Sequence, residues 1–184
     1  MFSSIKCRCG RDILVDNVDY FLVKDFKISC DNDGNLQVWF QKGTQAVAFA
    51  NLIIGPTPTD LEVDHKNRDT HDNRKENLRF VTRAQNMWNR NTSITNTTGF
   101  VGVNKAGNYF QVRVGRNGKR HFISSFKDMY EAATARNLAV RLLHNQYGVF
   151  STIPISETLR MWRSGRLEEI QELVVNKLME VSFA

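Results

Sequence analysis

The sequence predicts an α+β protein made of several small units, and three patterns support this class. Residues 1–60 contain short apolar runs separated by turn residues, as expected of a small β-rich support region. Residues 61–91 follow the order strand, loop, strand, helix. Residues 99–151 combine three short strands with an amphipathic helix. An Asn- and Thr-rich linker at 92–98 precedes that module, and residues 152–184 predict a C-terminal helical segment.

Composition narrows the class of protein. The chain has 184 residues, is 41% hydrophobic and carries a net charge of +6, with a sequence pI near 9.4. Such an excess of positive charge favours a polyanionic partner. No run of about twenty apolar residues predicts a transmembrane helix, and the first residues lack the core of a signal peptide. Three cysteines, an odd number, argue against a secreted disulfide framework. We therefore expect an intracellular protein with no membrane partner.

Turn signals divide the first sixty residues. A hairpin turn is predicted at 32–35, where the sequence is Asn-Asp-Gly-Asn, and a second turn at Lys42-Gly43. Residues 16–26 and 45–54 each fit either a short helix or a strand. We expect this region to support the segment that follows it.

The three cysteines leave two interpretations open. Cys7 and Cys9 are separated by one residue rather than the two of a common zinc motif, and no second cysteine accompanies Cys30. A zinc site would therefore need a histidine from elsewhere in the chain. The interpretation we prefer is a turn with reduced thiols, with His71 an ordinary loop residue.

The segment 61–91 contains most of the residues that could take part in catalysis or bind a metal ion. An apolar run ends on Asp64 and His65, a polar loop follows, and Asn77 precedes a second strand. Thr82 and Gln85 form a capping-box pattern that predicts a helix start, which places Asn86 in the first turn.

The residue types in this segment suit metal-assisted hydrolysis. The oxygens of Asp64 and Asn86 suit Mg²⁺ or Mn²⁺ better than zinc. A histidine such as His65 can accept a proton from water near neutral pH. The alternative is a solvated loop that is simply rich in Asn and Asp.

The same segment resembles HNH nucleases of the phage and intron-encoded homing type. The matching motifs are Val63-Asp64-His65, Glu76-Asn77-Leu78-Arg79, Val81-Thr82 and Gln85-Asn86. The resemblance implies a ββα-metal core in which His65 is the general base, Asp64 and Asn86 hold one Mg²⁺ or Mn²⁺ ion, and Asn77 braces the loop. Phe49-Ala50-Asn51 stands where relatives often carry Leu-His-Arg. Basic residues around the motif are candidate phosphate contacts, or else ordinary solvated surface: Lys66, Arg68, Arg79, Arg83 and Arg90.

The module at 99–151 predicts a three-stranded sheet with strands at 100–103, 109–114 and 119–126, followed by a helix at 129–147. A hairpin turn is expected at Asn117-Gly118. Alternation puts Val112 on one face of the central strand and Gln111 with Arg113 on the other. This module contains eight Lys or Arg residues and two acidic residues, so it carries a surplus of six positive charges. A basic sheet face of this kind can enter the DNA major groove.

This module resembles the ethylene-response-factor (Apetala-two) DNA-binding domain. The resemblance is carried by Gly99-Phe100-Val101-Gly102-Val103, Gly118-Lys119-Arg120, Phe126 and an alanine-rich helix. It implies double-stranded DNA as partner. The positions that it implies face DNA are Val101, Asn104, Arg113, Arg120 and Phe122.

The C-terminal segment carries an apolar stripe interrupted near Ser164-Gly165, and we expect it to cap the preceding module. A dimer interface or an added DNA-binding helix is the alternative, and we expect a monomer. Taken together, the sequence predicts a site-specific DNA endonuclease of the HNH homing class, phage-encoded and acting in the cytoplasm of a bacterial host. It does not reveal whether the enzyme nicks or cuts both strands. The rival hypothesis is a DNA-binding regulator with no catalytic activity.

Overall fold

A computed structural model describes residues 1–40, 46–90, 96–116 and 118–182. The turn expected at Lys42-Gly43, Asn117 of the hairpin turn and most of the linker 92–98 lie outside the described residues. The chain divides into two compact units, Met1–Asn86 and Met87–Ala184. The finer domain limits drawn from the sequence remain predictions.

The first unit begins with small antiparallel sheets, as its turn signals predict. A hairpin pairs β1 (Phe2–Lys6) with β2 (Asp12–Asp16), and β3 (Ile28–Cys30), β4 (Leu36–Val38) and β5 (Val47–Ala48) form a second sheet. Two short helices complete this part of the unit, α1 (Asn17–Val23) and α2 (Phe49–Ile54). The first ambiguous segment is thus a helix, and the second contains both a short strand and a helix.

The predicted hairpin turn at 32–35 is confirmed, and its local chemistry explains it. The carboxylate of Asp31 accepts hydrogen bonds from the backbone N–H groups of Asp33 and Asn35, at 3.0 and 2.8 Å. Gly34 adopts a φ of +83°, which only glycine tolerates without strain. The turn therefore fixes the register of β3 against β4.

The strand–loop–strand–helix segment also forms as expected. Strand β6 (Leu61–His65) pairs antiparallel with β7 (Leu78–Thr82), and α3 (Arg83–Trp88) follows directly. The capping box is present: the Gln85 side chain accepts from the Thr82 N–H at 2.9 Å, and Thr82 Oγ1 accepts from the Gln85 N–H at 3.3 Å. Leu78 is buried among the apolar residues of the β-rich region, so β7 shares the core of that region.

The second unit is a three-stranded antiparallel sheet in the order β10-β9-β8, where β8 is Val103–Ala106, β9 is Tyr109–Arg116 and β10 is Lys119–Phe126. The first strand was expected at 100–103, and this prediction is wrong. Gly102 has a φ of +70°, and a Cβ there would lie 2.9 Å from the Arg113 carbonyl oxygen. The chain therefore turns through this region before it pairs with β9.

In the described part of the second unit, three α-helices follow the sheet, and the helix predicted to reach residue 147 ends at His144 with a 3-10 turn at Asn145–Tyr147. Helix α4 (Met129–His144) begins at Asp128, whose carboxylate accepts from the backbone N–H groups of Tyr130 and Glu131. Helices α5 (Ile155–Arg163) and α6 (Arg166–Ser182) follow, and the interruption between them falls where the sequence predicted it. Apolar residues of both helices join the core between sheet and α4: Met161, Ile170, Val174 and Leu178. No helix in the described residues is long and apolar enough to cross a membrane.

Candidate functional site

Strand β6 presents acidic side chains on one face. Glu62 and Asp64 are two residues apart, so they point to the same side of the strand. Asp64 is buried, and Arg79 lies opposite it in the strand register. Both Nε and Nη2 of Arg79 contact Asp64 Oδ2 at 2.7 Å. Arg79 thus forms a buried ion pair, which is a different contact from the phosphate contact predicted for it.

Helix α3 brings a third oxygen-bearing side chain to this face. Asn86 Nδ2 donates to Glu62 Oε2 at 2.7 Å. Because the amide nitrogen makes that bond, the amide oxygen is the atom of Asn86 that would coordinate a cation. The carboxylates of Glu62 and Asp64 and the amide of Asn86 are hard oxygen donors, so the residues present fit Mg²⁺ or Mn²⁺. The sequence analysis did not include Glu62 among the site residues. Its position two residues before Asp64 on a predicted strand could have indicated that both side chains lie on the same face.

His65 ends β6 and lines a cleft of about 370 Å³ together with Val63, Gln37 and Asn51. Its Nε2 lies 3.2 Å from Asn73 Oδ1. The orientation of the Asn73 amide is assigned from its Nδ2, which donates to the Thr70 carbonyl oxygen at 2.9 Å. Asn73 Oδ1 must therefore accept, which places the proton on Nε2 of His65 and the lone pair on Nδ1.

Burial keeps His65 in its neutral form. Loss of solvation lowers its pKa below the ordinary value of 6.5, against the opposing effects of Asn73 and the nearby carboxylates. The imidazole is therefore able to accept a proton at neutral pH. Asn73, fully buried behind it, was not singled out in the sequence, where it lies within the polar loop.

Asn77 holds the loop that follows His65. Its Nδ2 donates to the Asp72 carbonyl oxygen at 2.7 Å, and its Oδ1 accepts from the Asn67 N–H at 3.0 Å. Asp72 is also buried, and the guanidinium of Arg74 holds the pKa of that carboxyl below its usual range. The bond with Asn67 joins the two ends of the loop, and the bond with Asp72 ties Asn77 to its middle.

The other candidate phosphate contacts lie at the surface. Lys66, Arg68 and Arg83 are exposed in the first unit, and Arg90 is exposed in the second. Lys66 Nζ donates to the Glu76 carbonyl oxygen at 2.6 Å. Arg68 has a φ of +67°, which an L-residue rarely adopts.

The sheet of the second unit carries its predicted polar side chains on one face. In the register, Asn104 lies opposite Gln111, and Arg113 lies opposite Phe122. Gln111 and Arg113 are two residues apart on β9, as are Arg120 and Phe122 on β10. These four residues and Asn104 therefore share one face of the sheet. The opposite face carries buried residues such as Val112 and Val114. Val101, also predicted to face DNA, lies in the turn before β8.

The expected turn forms, with the Gly10 N–H donating to the Cys7 carbonyl oxygen at 2.9 Å and all three thiols free, but His71 is not an ordinary loop residue, because it lies against the cysteines. Cys7 and Cys9 lie between β1 and β2. The sulfur atom of Cys30 is 3.3 Å from that of Cys7 and 3.1 Å from that of Cys9. His71, from the loop after His65, joins them. A hydrogen bond with His71 and one from the Arg11 backbone lower the pKa of Cys9 to about 6, whereas burial raises that of Cys30 to about 12.

Comparison with known proteins places this geometry in a family. Residues 47–88 match a family described as HNH endonuclease. The chain is 31% identical over 99 residues to an uncharacterized HNH endonuclease of Acanthamoeba polyphaga mimivirus, which covers 54% of this chain and 51% of the relative. It is 30% identical over 98 residues to protein 3.8 of Escherichia phage T7, which covers 52% of this chain and 80% of that relative.

The chain spans about half the length of the mimivirus relative. No solved structure matches it significantly. The matched residues 47–88 contain β6, the loop, β7 and α3, and thus Glu62, Asp64, His65, Asn73, Asn77 and Asn86. From this match and the extent of the similarity to the T7 protein, the chain belongs to the HNH endonuclease family.

Proposed function

We propose that the protein is a site-specific DNA endonuclease in which His65 activates the attacking water. The observation that carries this proposal is the hydrogen bond between His65 Nε2 and Asn73 Oδ1 at 3.2 Å, which orients the imidazole at the cleft that it lines. A neutral, half-buried imidazole with a defined tautomer is what a general base near neutral pH requires.

The reaction would exchange one bond for another at phosphorus. As water attacks, His65 Nδ1 accepts its proton, the new P–O bond forms and the bond to the 3′ oxygen breaks. The products are a 5′-phosphate and, after the leaving oxygen takes up a proton, a 3′-hydroxyl. Asn77 and Asn73 keep the loop and the imidazole in place during this step.

Asp64 and Asn86 would hold the single Mg²⁺ or Mn²⁺ ion, with Glu62 fixing the amide of Asn86. When bound, such an ion stabilises the negative charge that develops on the phosphate oxygens. Arg79 contacts one oxygen of Asp64 through both Nε and Nη2 at 2.7 Å and so fixes the orientation of the carboxylate.

Double-stranded DNA is the partner that the second unit supports best. Its exposed sheet face carries Arg113 and Arg120 beside polar and aromatic side chains, and its sequence resembles the ethylene-response-factor DNA-binding domain. A basic sheet face reads DNA by contacts in the major groove. The viral relatives favour a phage-encoded enzyme that acts in the host cell, and the homing role is proposed from the resemblance of the motif.

The test is DNA cleavage under controlled metal conditions. Plasmid and phage genomic DNA are incubated with the full chain in Mg²⁺, in Mn²⁺ or in excess chelator, with Asp64→Asn as the matched variant. We expect discrete nicks or fragments that need metal, are strongly reduced in the variant and can be resealed by a ligase without prior phosphorylation. Cleavage in chelator would contradict the metal requirement.

The rival function is a DNA-binding regulator without catalysis. The exposed basic face of the second unit is the observation that favours it, because that face needs no nuclease to bind DNA. Binding to DNA without scission in either metal would establish the regulator and reject the endonuclease.

A further inference from the structure

Four residues from three separate stretches of the first unit converge on a second site. Cys7 and Cys9 belong to the turn between β1 and β2, Cys30 ends β3, and His71 comes from the loop between β6 and β7. Their three sulfur atoms and one ring nitrogen all lie within 4.8 Å of one another. Cys7 and His71 are buried, Cys30 is half-buried and Cys9 is exposed, so the cluster lies at the edge of the interior of the unit.

The sulfur–nitrogen distances in the cluster fit a shared metal ion, and its sulfur–sulfur distances are shorter than in a metal-bound site. A tetrahedral zinc ion with bonds of about 2.3 Å to sulfur and 2.0 Å to nitrogen separates a sulfur from a nitrogen by about 3.6 Å. Here Cys9 and Cys30 lie 3.5 and 3.6 Å from His71 Nε2. The same tetrahedron puts two sulfurs about 3.8 Å apart, and the sulfurs of Cys7 and Cys9 lie 3.3 and 3.1 Å from that of Cys30.

A disulfide explains the cluster less well than a metal does. One disulfide would use two of the three thiols and leave the third thiol and the histidine without a role. All sulfur pairs above are also well beyond the disulfide bond length of about 2.05 Å. Three cysteines and one histidine are, by contrast, a common ligand set for a closed structural zinc site.

We propose that Cys7, Cys9, Cys30 and His71 bind one structural Zn²⁺ ion, separate from the ion of the nuclease site. The soft thiolate donors select zinc over the Mg²⁺ or Mn²⁺ that suit the oxygen donors near Asp64. With four protein ligands the site has no open position for substrate, so its role is to hold the fold together.

The surroundings of the ligands support this role. The other ring nitrogen of His71, Nδ1, lies 3.3 Å from Thr70 Oγ1, and that hydroxyl donates to the Gly34 carbonyl oxygen at 2.7 Å. Zinc-binding histidines are commonly oriented by such a partner on the second nitrogen.

The site also joins the β-rich region to the loop beside His65. The His71 carbonyl oxygen accepts from the Leu14 N–H on β2, and the Leu14 carbonyl oxygen accepts from the Asn73 N–H, both at 2.8 Å. Asn73 in turn contacts His65. A metal that ties His71 to the β1–β2 turn and to β3 would therefore fix the position of Asn73.

Metal content of the intact chain tests the proposal independently of nuclease activity. The protein is purified without added metal or chelator and its zinc is measured by mass spectrometry. We expect about one zinc per chain in the wild type, in Asp64→Asn and in His121→Ala, a control histidine of the second unit. We expect a large loss of zinc in His71→Ala and in Cys9→Ser.

Cobalt substitution of the wild type provides a second measurement, which needs no variant that could fail to fold. After exchange, Co²⁺ in a thiolate-rich tetrahedral site should give intense visible bands and a sulfur charge-transfer band. Several results would overturn the proposal: a wild type without zinc and without these bands, zinc lost in Asp64→Asn but kept in His71→Ala, or metal-free protein that holds a Cys9–Cys30 disulfide. A zinc-loaded protein that does not cleave DNA would reject the nuclease alone.

Discussion

At the residue scale, the side chains that belong to a recognisable motif could be predicted from the sequence. The residues that hold those side chains in place could not. Asp64, His65 and Asn86 were assigned from residue type and spacing, although their roles remain predictions. Asn73 was missed because its place in a polar loop does not reveal where a buried amide points. His71 was taken as a loop residue because its three cysteine neighbours lie at least 41 residues away in the sequence.

The contact between Asn73 and His65 makes a prediction for catalysis. Asn73→Ala removes the acceptor that fixes the His65 tautomer, so the cleavage rate should fall by about 10²-fold, with DNA affinity little changed. Single-turnover cleavage and a binding titration measure the two effects, and circular dichroism checks the fold. An unchanged cleavage rate would show that Asn73 does not position His65.

Asn73→Asp is the informative partner variant. It keeps an acceptor for His65 Nε2 and adds a negative charge, which raises the pKa of the imidazole. The acidic limb of the pH–rate profile should therefore move to higher pH than in the wild type. A purely structural role of Asn73 predicts a lower rate with an unmoved profile.

At the scale of elements, turn and cap chemistry predicted more than strand patterns did. The capping box at Thr82 and the hairpin at 32–35 formed as expected because each depends on local hydrogen bonds. The strand expected at 100–103 did not form, since the positive φ of Gly102 and its close approach to the Arg113 carbonyl depend on tertiary structure.

The end of α4 carries a contact that makes stability depend on pH. The ring of His144 stacks on Trp88 with centroids 4.1 Å apart, and its Nε2 donates to the Gly115 carbonyl oxygen at 2.6 Å. Its Nδ1 is buried and has no hydrogen-bond partner among the described residues. Burial, assisted by the charge of Arg136, lowers the pKa of His144 below 6.5.

The sign of the effect follows from this shift. Above pH 6.5 His144 is neutral in both states, so it adds no pH dependence. Below that pH the unfolded chain binds the proton first, and the free energy of unfolding falls until the lower pKa of the folded state is reached. Thermal unfolding should show a decrease in Tm on acidification that is smaller in His144→Gln. Parallel curves for the two proteins would contradict this account.

At the scale of the whole molecule, the distribution of charge agrees with the proposed division of labour. Residues 99–151 carry eight basic and two acidic side chains, and this surplus of six equals the net charge of the chain. The sequence revealed that surplus, but only the strand register places Arg113, Arg120 and their neighbours on one face. Cross-strand pairing of this kind depends on tertiary structure, which periodicity alone does not determine.

The basic face predicts a measurable salt dependence. Arg113→Ala combined with Arg120→Ala should weaken DNA binding and lower the slope of log K against log salt by about 2, because each phosphate contact contributes about one unit. Arg163→Ala with Lys177→Ala, on α5 and α6, removes the same charge elsewhere and serves as control. Equal slopes for the test and wild-type proteins would exclude the sheet face from DNA contact.

The most direct measurement is the single-turnover cleavage rate of His65→Ala, made beside its DNA affinity and its zinc content. If His65 is the general base, cleavage should fall by about 10²- to 10⁴-fold, while DNA affinity and zinc content stay at wild-type levels. Cleavage at the wild-type rate would contradict the assignment of His65. Loss of DNA binding together with cleavage would also contradict it, since the defect would then precede the chemical step.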